Sequence, residues 1–113
     1  MKLKNDFVTN SSSTSFIIFN KTNKIITARE FVENLWNNGL SSTMDYYDYH
    51  KEYTKEDLIK SLEEDYHFEL KPGNNYEVFG DEHNTVAGKV FDYCLRDEYI
   101  TDKVNVSIDE YLR

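Results

Sequence analysis

A capped amphipathic segment between residues 27 and 39 constrains the fold of this chain more than any other feature. Thr27 and Glu30 stand three residues apart, the spacing of a capping box that satisfies backbone N–H groups at a helix start. Apolar residues then recur at helical spacing until Asn38 and Gly39, which are typical of a helix end. The pattern predicts a helix over residues 28–38 with one face against a core. The side chains expected on that face are Phe31, Leu35 and Trp36.

The remaining patterns predict four strands and two further helices. A continuous apolar run at residues 16–19 predicts a buried first strand, and alternating residues at 68–71 and 76–79 around Pro72 and Gly73 predict a hairpin. Thr54 caps a second helix, and Asn84 or Thr85 caps a third. Alternation at residues 104–108 predicts a last strand.

The predicted order is βααββαβ, in which helices are segregated from about four mainly antiparallel strands. This order predicts an α+β fold. A chain of 113 residues fits a single domain, residues 1–113, in which residues 1–13 could be a flexible lead-in.

Charge and cysteine content restrict the class of protein. The formal net charge is −8, which disfavours direct contact with nucleic-acid phosphates and favours either a basic partner or solubility alone. The charged opening of the chain leads into no apolar segment, and no later segment reaches the length of a membrane span. We therefore expect a cytoplasmic protein without a membrane partner. The single cysteine, Cys94, excludes an internal disulfide and any zinc site built from several cysteines.

A segment rich in tyrosine and acidic residues is the first candidate site. Tyrosine side chains bury area while keeping a polar group, so the segment predicts a protein-binding face. Two alternatives remain open: the carboxylates could bind a hard cation, although the spacing of an EF-hand is absent, or the tyrosines could pack on the protein's own core. The predicted partner-binding residues are Asp45, Tyr46, Tyr47, Asp48, Tyr49, Glu52 and Tyr53.

Two polar loops form an alternative site. An acid with His83 could act as an acid/base pair, although acidic residues before a helix also stabilise its N-terminus. The serine run near the start could bind an anion or be modified. The residues of this alternative site are Ser11, Ser12, Ser13, Asp81, Glu82 and His83. Cys94 lies on the apolar stripe of the third predicted helix, which favours a structural thiol.

The segment from Asp6 to about Ile18 resembles the FVTNSSSxSF opening of short proteins from low-GC Gram-positive bacteria, especially clostridia, and their phages. The resemblance implies a bacterial or phage origin and carries no activity.

Three functions follow as expectations. The first is a non-catalytic acidic binding protein that binds or inhibits a basic or nucleic-acid-handling protein, with no cofactor and no metal. The second is a small enzyme or nucleotide-binding protein that uses the two polar loops. The third is a structural or assembly subunit. Because the sequence lacks G-x-S-x-G, P-loop and Rossmann glycine patterns, an enzyme is the less favoured class.

Overall fold

The computed structural model describes residues 14–79 and 85–111. Within them, four strands form an antiparallel sheet in the order β4-β1-β6-β5, and two short strands, β2 and β3, form a separate pair. The strands are β1 Thr14–Asn20, β2 Ile26–Thr27, β3 Glu69–Leu70, β4 Asn75–Phe79, β5 Tyr99–Ile100 and β6 Val104–Tyr111. The helices are α1 Ala28–Leu35, α2 Ser41–Tyr46, α3 Lys55–Asp65 and α4 Val86–Cys94. The predicted α+β class is confirmed, and α1, α3 and α4 are the three predicted helices.

Each predicted helix begins at a cap of the expected type. Thr27 and Thr54 form capping boxes with Glu30 and Asp57, and Thr85 accepts a hydrogen bond from the Gly88 N–H. These caps satisfy N–H groups that have no partner inside the helix. α1 is shorter than predicted, and the chain kinks after it at Asn38 and Gly39, whose backbone angles are not helical.

The core lies between one face of the four-stranded sheet and the helices. Alternate residues of β1 and β6 point into it, as the two-residue period of a strand requires. α1 and α4 meet there through Phe31 and Phe91, whose rings cross nearly perpendicularly with centroids 6.3 Å apart. The buried side chains that the sheet and these helices contribute include Phe16, Ile18, Phe31, Val32, Leu35, Leu58, Leu62, Val90, Phe91, Val104 and Val106.

The predicted hairpin between residues 68–71 and 76–79 is wrong. Leu70 in β3 pairs with Ile26, whereas β4 pairs with β1. The turn between β3 and β4 therefore carries the chain from one sheet to the other. It is held against the end of β1, where the Gly73 N–H donates to the Asn20 carbonyl at 3.4 Å. The positive φ of Gly73, 72°, lies in the region that glycine adopts without strain.

Trp36, predicted to lie on the core-facing side of α1, packs against the core but is only partly buried. It follows the last residue of α1, where its half-buried ring packs against the edge of the core beneath the Lys55 ammonium group, 5.9 Å from the ring centroid. Phe31 and Leu35, the other two residues expected on that face, are fully buried.

Candidate protein-binding surface

The tyrosine-rich segment contains regular structure that its sequence did not predict. Residues 41–53 have no apolar period that predicts a helix, yet they include α2 and a short 3₁₀ turn at Tyr49–Lys51. The reason lies partly upstream: Gly39 adopts a φ of 118°, which turns the chain so that Leu40 is buried, and Met44 is buried one helical turn later. An apolar pair at this spacing fixes a short helix on the core.

Two of the predicted binding tyrosines anchor the segment from below. Tyr49 and Tyr53 are half-buried against the core, with ring centroids 6.2 Å apart. The Tyr49 hydroxyl donates to the Lys89 carbonyl of α4 at 3.3 Å. These two side chains therefore support the alternative in which tyrosines pack on the protein's own core.

The other two tyrosines are exposed. Tyr46 is 81% exposed and Tyr47 is 40% exposed, and their rings meet edge to face at a centroid distance of 5.0 Å. Tyr47 also lies 5.6 Å from Tyr93 of α4, which is 44% exposed. We call Tyr46, Tyr47 and Tyr93 the tyrosine surface. It joins two elements that are more than 40 residues apart in the sequence, as the numbering of Tyr47 and Tyr93 shows.

Sequence reasoning missed Tyr93, although a signal for it was present. The helical period that places Val90, Phe91 and Cys94 on the buried face of α4 leaves position 93 on the outside. An aromatic residue on the polar side of a predicted helix is a candidate contact residue. Its proximity to Tyr47 is a tertiary feature that periodicity alone does not predict.

An arginine already stacks on this surface. The Arg96 guanidinium lies over the Tyr93 ring, 5.0 Å from its centroid. The same side chain donates through Nε to the Asp92 carbonyl at 2.6 Å, and its Nη2 lies 3.5 Å from the buried Asp92 carboxylate. A tyrosine ring of this surface thus accepts a planar cation that is held by a neighbouring carboxylate, the usual geometry of a cation–π contact.

The three predicted carboxylates are exposed around the same segment. Asp48 has a left-handed backbone, with φ of 63°, and forms a solvent-exposed ion pair with Lys51 at 3.8 Å. Such a pair contributes little stability, so its carboxylate can exchange partners. Asp45 and Glu52 are also exposed. Among the described residues, no three His, Cys, Asp or Glu side chains converge in a group that could hold a metal ion.

An open depression of about 430 Å³ lies beside the exposed tyrosines of this segment, and its described lining comes from α2 and the residue that follows it. The lining combines hydroxyl groups with aromatic rings, which suits a mixed polar and apolar contact. The described lining residues are Ser42, Thr43, Tyr46 and Tyr47.

The alternative loop site lies outside the described residues. This applies to all of its members, namely Ser11, Ser12, Ser13, Asp81, Glu82 and His83. Cys94, in contrast, is described and fully buried on the inner face of α4. Burial among apolar side chains is the environment of a structural thiol.

No protein-family model, curated protein or solved structure matches this chain. None of the helices in residues 14–79 and 85–111 is long and apolar enough to cross a membrane.

Proposed function

We propose that this chain is a non-catalytic cytoplasmic binding protein whose tyrosine surface docks onto a basic segment of another protein. One observation carries the proposal. Tyr46 and Tyr47 are exposed and touch each other, Tyr47 also touches Tyr93, and the segment that bears Tyr46 and Tyr47 is anchored to the core through Tyr49. Single exposed aromatic side chains are ordinary, whereas a contiguous group of three favours an interface.

The anchoring reduces the entropy that binding would cost. A tyrosine side chain has few rotatable bonds. The Tyr47 ring is further restricted because the rings of Tyr46 and Tyr93 both contact it. A surface held in its bound arrangement loses less freedom on association than a flexible one. Buried tyrosines are also among the commonest side chains that dominate binding energy at interfaces.

The charge of the segment defines the partner. Asp45, Asp48 and Glu52 are exposed around the rings, so a positively charged segment would be attracted and oriented by them. The stacking of Arg96 on Tyr93 supports arginine as the contacting residue, because the neighbouring rings offer the same kind of face. A nucleic-acid-handling protein presents such segments, and occupation of its phosphate-binding groove would make this chain an inhibitor.

Two variant sets with matched controls test the proposal against a captured partner. The first set neutralises Asp45, Asp48 and Glu52 to Asn or Gln, and its control makes the same change at three exposed carboxylates elsewhere. The control residues are Glu63, Glu64 and Glu69. Since charges at the rim of an interface act mainly on association, the first set should slow association and flatten its salt dependence. The control set, which changes net charge equally, should have a much smaller effect.

The second set removes aromatic contact area by Tyr46→Ala and Tyr47→Ala. If these tyrosines dominate the interface, each change should speed dissociation and weaken binding by about 2 kcal/mol or more. Ile100→Ala is the control, because Ile100 is a large apolar residue, 82% exposed, whose side chain leaves β5 on the face opposite to buried Tyr99. Surface plasmon resonance across a salt series separates the two rates.

Wild-type kinetics for both sets would overturn the proposal. If changes at Ser11, Ser12, Ser13 or Asp81 to His83 then abolish the measured activity, the loop-site function replaces it. If the chain instead retains only copies of itself, the assembly-subunit function replaces it.

A further inference from the structure

Two connecting turns meet at the end of the sheet where the chain leaves β1. Residues 21–25 join β1 to β2, and residues 101–103 join β5 to β6. The backbone N–H of Lys21 donates to the carbonyl of Lys103 at 2.8 Å, and the Lys21 ammonium group donates to the carbonyl of Thr101 at 2.5 Å. These two hydrogen bonds hold the turns side by side, so the lysines of both turns lie at the same end of the molecule.

A small cavity lies between these turns and the start of α1. Its volume is about 90 Å³, the space of roughly three molecules of liquid water, which suits a small ligand and excludes a segment of a folded partner. Two of its lining side chains are the exposed lysines Lys24 and Lys103, and Ile25, 48% exposed, adds an apolar wall. The other described lining residues are Thr22, Ile26 and Glu30.

The two lysines of the cavity have positive charge available for a ligand. Among the residues that the structure describes, neither of them forms an ion pair with a carboxylate. The Glu30 carboxylate is already occupied, because its Oε1 accepts a hydrogen bond from the Thr27 N–H at 3.0 Å. This hydrogen bond is the largest cause that lowers the pKa of Glu30, and the charges of Lys103 and Lys24 lower it further. One carboxylate thus lies near two ammonium groups, which leaves an excess of positive charge at the cavity.

The charge of this end is opposite to the net charge of the chain. The lysines of the two turns and the cavity, three in number, stand against the carboxylates of Glu30 and Asp102, whereas the whole chain carries −8. Asp102 does not line the cavity, and its carboxylate accepts a hydrogen bond from the Asn34 side chain at 3.4 Å. A long polyanion would be repelled by the rest of the surface. A small anion responds mainly to the charges beside it, because salt screens exposed charges beyond about 10 Å.

We propose that this cavity binds a small phosphate-bearing anion, held by the ammonium groups of Lys24 and Lys103. A phosphate group carries a charge of about −1.5 to −2 at pH 7 and several acceptor oxygens, so it can contact both lysines, whereas a carboxylate with one charge matches only one. Lysine binds phosphate as a point charge and needs no fixed fork geometry, which suits exposed side chains. Ile25 contacts the organic group of the ligand, and Glu30 limits the affinity by repulsion. This proposal does not depend on the proposed function of the tyrosine surface.

Chemical-shift titration of the backbone amides at constant ionic strength tests the site with three probes. Inorganic phosphate should shift the amides of residues 21–26 and 101–103 along one saturable curve. Phenyl phosphate should bind more tightly, because its ring contacts Ile25, and this arm separates an organic phosphate from free phosphate as the ligand. Dimethyl phosphate, which carries a single charge, should bind more weakly than either.

Single-charge variants separate this cavity from the effect of net charge. Lys24→Gln and Lys103→Gln should each weaken phosphate binding by about fivefold or more, as expected for the loss of one charge-assisted contact at an exposed site. Lys60→Gln removes the same charge from an exposed position on α3 and should bind phosphate as wild type does. Glu30→Gln should strengthen binding, because glutamine removes the repulsion and can still complete the capping box.

Three results would each overturn the proposal. The first is that the amide shifts do not saturate or do not map to the two turns. The second is that Lys24→Gln and Lys103→Gln bind phosphate no more weakly than Lys60→Gln. The third is that Glu30→Gln weakens binding, which would place the anion away from this carboxylate and its neighbouring lysines.

Discussion

Removal of the Asn20 side chain should destabilise the protein far more than removal of an ordinary loop asparagine. Asn20 is 1% exposed at the end of β1 and makes four hydrogen bonds through its amide. Its Nδ2 donates to the carbonyls of Lys24 and Leu70 at 2.7 and 2.9 Å. Its Oδ1 accepts from the backbone N–H and the hydroxyl of Thr22 at 2.8 and 2.7 Å. The side chain thus connects β1, the turn after it and β3.

The magnitude follows from the exposure of these partners. The net contribution of one hydrogen bond to the free energy of unfolding is roughly 1 kcal/mol, so the loss of four such bonds would cost about 4 kcal/mol if none were replaced. The Thr22 and Lys24 partners lie in an exposed turn and can bond water after the change, whereas the bond to Leu70 is buried. A buried acceptor left unpaired costs about 1 to 3 kcal/mol. We expect Asn20→Ala to lower the free energy of unfolding by about 2 to 4 kcal/mol.

Asn20→Asp separates hydrogen bonding from volume. Aspartate keeps the shape and both acceptor contacts, but it cannot donate, and it places a negative charge beside two carbonyl groups. It should therefore be at least as destabilising as Asn20→Ala, although it removes fewer atoms. Exposed Asn74, in the turn between β3 and β4, provides the control, for which Asn74→Ala should change stability by less than about 0.5 kcal/mol.

Urea denaturation followed by far-UV circular dichroism gives the three free energies on one scale. Equal m-values among the variants would show that the substitutions change the stability without changing the surface that becomes exposed on unfolding. A change below about 1 kcal/mol for Asn20→Ala, or a smaller effect of Asn20→Asp than of Asn20→Ala, would refute the role of the donated hydrogen bonds.

Three further predictions concern single side chains. Trp36→Ala should cost about 2 to 3 kcal/mol, less than a fully buried aromatic side chain, because the ring is half-buried; unchanged urea denaturation would show that its packing contributes nothing. Cys94 should react with a thiol reagent only on unfolding, since it is fully buried, and rapid labelling of folded protein would contradict this. The hydrogen bond from the backbone N–H of Thr27 lowers the pKa of the Glu30 carboxyl. This contact therefore stabilises the folded protein at pH values above the pKa that Glu30 has in the unfolded chain, and the stabilisation is lost as pH falls through its lower pKa in the folded protein. The difference in urea midpoint between wild type and Glu30→Gln should therefore shrink at acid pH, and a constant difference would exclude the carboxylate as its source.

The helix starts were predictable because a capping box is complete within four residues. Thr27 and Thr54 each carry their partner three positions later, so no tertiary information is needed. The pairing of β2 with β3 was not predictable in this way. Each strand has two residues, too few for a period, and the contact between Ile26 and Leu70 depends on how the intervening helices fold.

The candidate site was predictable only in part, for a related reason. Sequence identifies a tyrosine-rich segment but does not say which rings face the core. That division depends on the turn at Gly39 and on the burial of Met44, which together set the orientation of α2. Tyr93 enters the surface only after α4 packs beside α2, so its contact with Tyr47 was beyond any local pattern.

The same division of the tyrosines links folding to the proposed binding. Tyr49 and Tyr53 contribute area to the core, and this burial holds the segment from which Tyr46 and Tyr47 project. If all four rings were buried, no aromatic surface would remain; if all four were exposed, the segment would have little to fix it, and binding would carry the full entropic cost of ordering it. Because the two half-buried tyrosines follow the two exposed ones within one short segment, the core itself orders the aromatic surface before any partner arrives.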